Sequence, residues 1–327
     1  MAEASATMPP PQNPAPSAGN TTAPAGVDPS KTAGQRAVSA PFQISMMQDR
    51  DRWLKMLVYG GHGRGKTELL GSAVDCLQMR DVLMLDAESG DLTLNDSERI
   101  HNPDLIHHIK VENFKQVAYV QEFLRAYCTA RDNPNKAAGL ATMKKLYAQV
   151  TGIETDNPPI YRTIIVDSLS EIEAYCQYQV LNVDEDKVLK DDGGMDVSGW
   201  PEFRKVFEMM KLLVRSFRDL PMHVLFACAE GYTKDEINRH HYTPAMTGKL
   251  ATQVQGFVDV VGRIMVGEVT AESNGEAPRR VYIQPISGSQ RFDAKNRRSS
   301  FKPAYFDNPN MTTIMKDLGL YKPELNK

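Results

Sequence analysis

Apolar residues in this chain fall in short unbroken runs, separated by stretches with helical spacing. "LKMLVY" (54–59) is an apolar run ending at Gly60, the pattern of a strand buried on both faces. "KTELLGSAVDCLQM" (66–79) then sets Leu69, Leu70, Ala73, Val74 and Leu77 on one helical face. "DVLMLD" (81–86) and "LIHHIKV" (105–111) predict two further strands. An amphipathic helix follows over 113–131, with Asn113 as its cap. "RTIIVD" (162–167) is a β-branched strand, and Ser168 with Glu171 three residues on predicts a capping box for the next helix. "WPEFRKVFEMMKLLVRSFRDL" (200–220) is a long helix with Pro201 in its first turn, and "MHVLFACA" (222–229) is another buried strand. "VDVVGRIMVGE" (258–268) and "RRVYIQP" (279–285) predict a closing hairpin.

Strand then helix, repeated, predicts an α/β fold: a mostly parallel sheet flanked by helices on both faces. Residues 134–160 read as a helical insertion ending in a Pro-Pro loop, and 183–199 as a mobile Gly- and Asp-rich loop. Residues 1–48 are rich in Ala and Pro with almost no bulky apolar side chains. Such a segment buries too little surface to offset its ordering entropy, so a disordered tail is expected before a P-loop domain over 49–327.

Composition narrows the function. The net charge of −3 excludes a protein that coats nucleic acid over its whole surface, so any such contact must be local. The 4 Cys form no CxxC pair and read as buried thiols of a reducing compartment. With no apolar run of membrane-spanning length and no signal-like N-terminus, the protein is expected in the cytoplasm, away from membranes.

The chemistry begins at "GGHGRGKT", Gly60, Gly61, His62, Gly63, Arg64, Gly65, Lys66 and Thr67, which fits G-x-x-x-x-G-K-[ST] in full. Glycines let successive N–H groups turn inward to cradle phosphates. Lys66 offers a point charge to the outer phosphates, Thr67 a hydroxyl to Mg²⁺, and Glu68 follows in the first helical turn. The motif follows a strand and opens a helix, which is the context it requires; ATP and Mg²⁺ are the implied ligands. A second acid for the metal should end a neighbouring strand, and Asp167 does so in "TIIVDS". Hydrolysis also needs a base. Glu88 in "LMLDAESG" is the candidate, with Asp86 its rival, either as base or as a cap of the next turn. His107-His108 and His240-His241 are adjacent pairs, without the i, i+4 spacing of a helical metal site. Tyr232, Tyr242 and Phe292 are aromatic residues available for base stacking, or for ordinary packing.

"DAE" after the strand that follows the P-loop, then "IIVDS", resembles the core of RecA-type recombinases. Over roughly 53–320 the chain resembles phage-encoded P-loop ATPases with a minimal RecA-like core, some of which are single-strand annealing proteins. The motifs that carry this are "YRTIIVDSLSEIE", the W-x-E-F start of a helix, "RDLPMHVLFACAE", "TPAMTGKL", "FVDVVGRI" and "AKNR", in that order. The resemblance implies a RecA-like ATPase in phage DNA recombination, annealing or replication, acting on single-stranded DNA as a homo-oligomeric ring or filament in the host cytoplasm. A single-strand-binding protein is a further implied partner. Glu88 matches the catalytic glutamate. Glu230 sits where RecA proteins usually carry a Gln that senses the γ-phosphate, and "GYTKDEINRHHYTPAMTGK" occupies the DNA-loop position. Lys295 and Arg297 resemble cations that reach a neighbouring subunit's nucleotide; they read equally as a solvated basic turn or as a phosphate-contact patch for nucleic acid. The alternative functions are a nucleotide-gated scaffold, a small-molecule phosphotransferase, and a helicase or translocase.

Overall fold

A computed structural model describes residues 53–183, 199–234, 237–267, 269, 277–285, 290–298 and 301–322. The 1–48 tail and nearly all of the 183–199 loop lie outside the described residues. Residues 51–327 form one compact unit.

Its strands are β1 (Lys55–Gly60), β2 (Val82–Asp86), β3 (Ile106–Lys110), β4 (Thr163–Asp167), β5 (His223–Lys234), β6 (His240–Pro244), β7 (Val260–Val266), β8 (Arg279–Tyr282), β9 (Gln290–Phe292), β10 (Lys295–Asn296) and β11 (Tyr305–Asp307). The helices are α1 (Lys66–Gly71), α2 (Asp91–Asn95), α3 (Phe114–Arg131), α4 (Lys136–Thr151), α5 (Leu169–Val180), α6 (Trp200–Arg218), α7 (Leu250–Phe257) and α8 (Met311–Asp317). The sheet runs β11-β8-β7-β1-β5-β4-β2-β3. From β7 to β3 neighbouring strands are parallel; β8, β10 and β11 join antiparallel at the β7 side. β7 and β8 form the closing hairpin that the sequence predicts.

Alternation along the central strands divides the core between two faces. Leu57, Tyr59, Leu85, Val166 and Phe226 pack with α3, α5, α6 and α7. Met56, Val58, Met84, Ile165 and Leu225 pack with α1 and α8 on the other side. Because both faces are covered, the strands read as continuous apolar runs.

Two local expectations are overturned. The helix after the P-loop does not continue to 79: α1 ends at Gly71 and tightens into a 3₁₀ turn over Ser72–Asp75. Gly71 lies too close to Leu94 and Ile100 for a Cβ, and the Ser72 hydroxyl donates to Leu69 O at 2.6 Å while accepting from Met311 N at 2.9 Å. Leu77 is therefore 45% exposed rather than on the buried face. Ser168 occupies the N-cap of α5 but makes no side-chain cap bond, so the Ser168–Glu171 capping box does not form. Its hydroxyl is used elsewhere.

Candidate nucleotide site

β1 delivers Gly60 to the C-terminal edge of the parallel sheet, where ligands of open α/β sheets bind. A Cβ on Gly60 would lie 2.6 Å from Ile264 Cγ2 and 2.7 Å from its carbonyl oxygen, so only glycine fits. Gly63 and Gly65 hold φ of +67° and +85°, in the left-handed region that lets the loop fold into a cradle. Gly61 and Gly65 are half-buried, and His62, Gly63 and Arg64 are exposed. Lys66 is 8% exposed and reaches back across the loop, donating to Gly60 O at 3.0 Å and Gly61 O at 3.1 Å. Glu68 accepts from Ser97 Oγ at 2.5 Å and pairs with Arg279.

The metal-binding expectation meets a specific geometry. Thr67 Oγ1 donates to Asp167 Oδ2 at 2.5 Å, across 100 residues of sequence. Asp167 is 1% exposed, and its other oxygen, Oδ1, is buried without a partner. A buried carboxylate oxygen with no donor beside a hydroxyl suits a hydrated divalent cation, and a Cβ on Gly90 would lie 3.3 Å from Thr67 Cγ2 and 3.9 Å from Asp167 Oδ2, space that glycine leaves open. The residues present therefore fit Mg²⁺ carried in with a nucleotide. Thr67 and Asp167 would hold it, and it would neutralise phosphate charge. One positional expectation is corrected: β4, which carries Asp167, is not adjacent to β1, because β5 lies between them. The side chains still meet because α1 reaches across the sheet edge.

Burial pushes the Asp167 carboxyl up to about 6; Glu88 and Asp86 push the same way and the Thr67 hydrogen bond opposes them. Between the ordinary aspartate value of about 3.9 and this raised value, the folded chain binds more protons than the unfolded one. Stability contributed here therefore falls as pH rises through that window and is level above it. We predict that Asp167→Asn without Mg²⁺ melts above wild type at about pH 7.5, with the gap closing below about pH 4. The same variant should lose the thermal stabilisation that MgATP gives wild type. Melting curves across this range with and without MgATP check both signs.

Asp86 caps the turn after β2. Fully buried, it accepts from Glu88 N and Gly90 N at 2.9 Å each and lies 2.9 Å from His108 Nε2. This folds the turn after β2 and projects Glu88 outward. Glu88 is exposed, and its carboxylate accepts from Ser168 Oγ. Register places Asp86 beside Asp167, so the β2 and β4 ends bring Glu88, Asp167 and Thr67 to one edge. Of the adjacent histidine pairs, His107 bonds Tyr161 at 2.6 Å and His241 bonds Asp293 at 2.8 Å.

Glu230 follows Ala229, which lies opposite Gly60 in the sheet, and is thus beside the P-loop. Its carboxylate is held by Arg263 at 2.6 and 3.2 Å. Arg263 is 5% exposed and stacks 3.8 Å over the Tyr242 ring and 5.4 Å over Phe292. Phe292 is 5% exposed, which removes it from the set of base-stacking residues. Lys295 is half-buried and Arg297 exposed, and both reach backbone carbonyls. Lys295 donates to Gln255 O and Val258 O at 2.8 and 2.9 Å, and Arg297 to Gly256 O at 2.7 Å with Asp259 at 3.4 Å. Both cations cap the negative end of α7. β10 lies opposite Val260 and Val261, the half of β7 remote from the P-loop.

The structure adds three residues to the neighbourhood. Ser168 was visible beside Asp167, but its spacing to Glu171 pointed to a helix cap. Arg263 and Arg279 carry no local sequence signal, since both arrive from strands about 200 residues further on.

A family model described as an AAA domain matches residues 52–298. No curated protein matches the chain. Among solved structures, the flagellar accessory protein FlaH from Methanocaldococcus jannaschii aligns at 11% identity with a TM-score of 0.37, over 78% of this chain and 84% of that one, a likeness too loose to carry a conclusion. The AAA match spans more than half of the sequence and contains the P-loop, Asp167 and Glu88. The chain belongs to the AAA domain family of P-loop ATPases.

Proposed function

We propose that the protein hydrolyses MgATP and uses the nucleotide state to control binding of single-stranded DNA, in phage recombination or strand annealing. Lys66 and the loop N–H groups hold the phosphates, Thr67 and Asp167 the metal, and Glu88 takes a proton from the attacking water. The observation that carries the DNA part is the β5–β6 ribbon. β5 pairs with the P-loop strand as far as Gly60 and then continues past the sheet edge, pairing with β6. Tyr232 on it is 61% exposed and stacks on His240, with ring centroids 5.1 Å apart and planes 5° from parallel. The Tyr242 ring lies 5.9 Å from His240, and the exposed Lys234 lies opposite His240 in the ribbon. An exposed aromatic stack beside a cation suits unpaired bases and their phosphates. Glu230 and Arg263 lie between this ribbon and the P-loop.

A local patch of this kind is compatible with a net charge of −3 when ring or filament assembly repeats it along one strand. A role for Lys295 and Arg297 on a neighbouring subunit's nucleotide requires both to leave the end of α7. A single-strand-binding protein would deliver the DNA.

The test is ATP hydrolysis by the full chain with and without single-stranded DNA at two salt concentrations, together with DNA affinity of Tyr232→Ala. DNA should raise turnover, salt should remove the effect, and Tyr232→Ala should weaken DNA binding about 5- to 100-fold. Turnover indifferent to DNA overturns the DNA part and favours the nucleotide-gated scaffold. A phosphorylated small acceptor would favour the phosphotransferase, and strand displacement on a forked duplex the translocase.

A further inference from the structure

Glu68 poses an electrostatic problem. It stands directly after Lys66 and Thr67, in the first turn of α1, with a side chain only 12% exposed. The N–H groups of that turn are the ones a P-loop turns toward phosphate, and a carboxylate there repels the ligand the loop is built for. Arg279 supplies the compensating charge. It opens β8, and its backbone is fixed on both sides by Asn308, whose side chain accepts from Arg279 N at 2.8 Å and whose N donates to Arg279 O at 2.7 Å. Its guanidinium pairs with Glu68 through Nη1 and lies across the loop itself: a Cβ on Gly65 would fall 2.6 Å from Nη1 and 2.9 Å from Cζ.

The side of approach indicates which part of a nucleotide it meets. In the sheet order, Asp167 and Glu88 come from β4 and β2, on one side of β1, while Arg279 comes from β8 on the other. The unpartnered Asp167 Oδ1 marks the metal and outer phosphates on the first side. The nucleoside end of the ligand then lies toward β7 and β8. We propose that Arg279 is a nucleotide-binding residue acting within its own chain, cancelling the charge of Glu68 and donating from the rest of its guanidinium to the nucleoside-proximal phosphates of ATP. This rests on the P-loop reading above. A guanidinium has five N–H donors in a planar fork, so one face can hold Glu68 while another meets phosphate.

The proposal separates two roles that a single substitution confuses. Calorimetric titration of the full chain with MgATP would compare wild type, Arg279→Gln, Glu68→Gln and the double variant. Arg279→Gln should weaken MgATP binding roughly 10- to 100-fold. Glu68→Gln should bind within about threefold of wild type or more tightly, since it removes the repulsion. The double variant should stay about fivefold or more weaker than Glu68→Gln, because the phosphate donor is still missing. A double variant that binds as well as Glu68→Gln overturns the proposal and reduces Arg279 to a neutralising partner. If Arg279→Gln fails to fold, the double variant and Glu68→Gln still decide the matter, since the double variant leaves no unpaired carboxylate. Failure of the underlying P-loop reading looks different: wild type and Lys66→Ala would then show equal affinity for MgATP.

Discussion

Replacing Glu88 with Gln should lower ATP turnover about 10²- to 10⁴-fold while leaving MgATP affinity within a few-fold of wild type. The reasoning is geometric. Glu88 stands outside the Thr67–Asp167 pair, exposed at the end of β2, with its backbone N tied to Asp86 Oδ1 and its carboxylate accepting from Ser168 Oγ. Gln has the same shape, and its amide oxygen still accepts from Ser168, so the turn and the buried Asp86 cap remain. What is lost is the capacity to take a proton from water. Single-turnover hydrolysis and equilibrium binding on one preparation separate these effects. A Gln variant with more than about a tenth of wild-type turnover would assign the proton to another group.

The second large effect belongs to Lys66. Lys66→Ala should weaken MgATP binding about 10- to 100-fold and lower turnover about 10²- to 10³-fold, with a loss of only a few degrees in melting temperature. Ala is the best helix former and stands well at the first position of α1. The two hydrogen bonds to Gly60 O and Gly61 O are lost; Gly61 is half-buried and its carbonyl can meet water, whereas Gly60 is buried at the end of β1 and its carbonyl is left unmet, at a cost of about 1–3 kcal/mol. The ammonium has no such substitute: phosphate charge is then met by backbone N–H groups alone. Normal binding and hydrolysis by Lys66→Ala, measured beside its melting curve, would remove the P-loop from the mechanism.

Much of the site was legible in the sequence for a local reason. The P-loop is a contiguous backbone device: eight consecutive residues, from Gly60 to Thr67, carry the turn, the cation and the hydroxyl. The strands were legible because burial on both faces leaves no polar alternation, and Asn113 caps α3 through Gln116 N because the cap needs only its own neighbours. The failures share the opposite property. Ser168 looked like a cap by spacing, yet Glu88, 80 residues earlier, takes its hydroxyl. The helix after the P-loop looked continuous by periodicity, yet contact with α8 and with Leu94 ends it at Gly71. Lys295 and Arg297 left three readings open in the sequence, and their bonds to carbonyls at the end of α7, some 40 residues earlier, had no local signal.

The sequence by itself determined the parallel α/β sheet and the P-loop motif, and it offered Thr67, Asp167 and Glu88 as candidates, because each rests on neighbours a few residues away or on periodicity set by burial. Only the tertiary structure decided that β5 separates β1 from β4, that Asp86 is a cap, that Arg263 holds Glu230 and that Arg279 lies over Gly65. Those pairings join residues from about 4 to more than 200 positions apart, and which carboxylate meets which cation is settled by strand order and register, which no local pattern encodes.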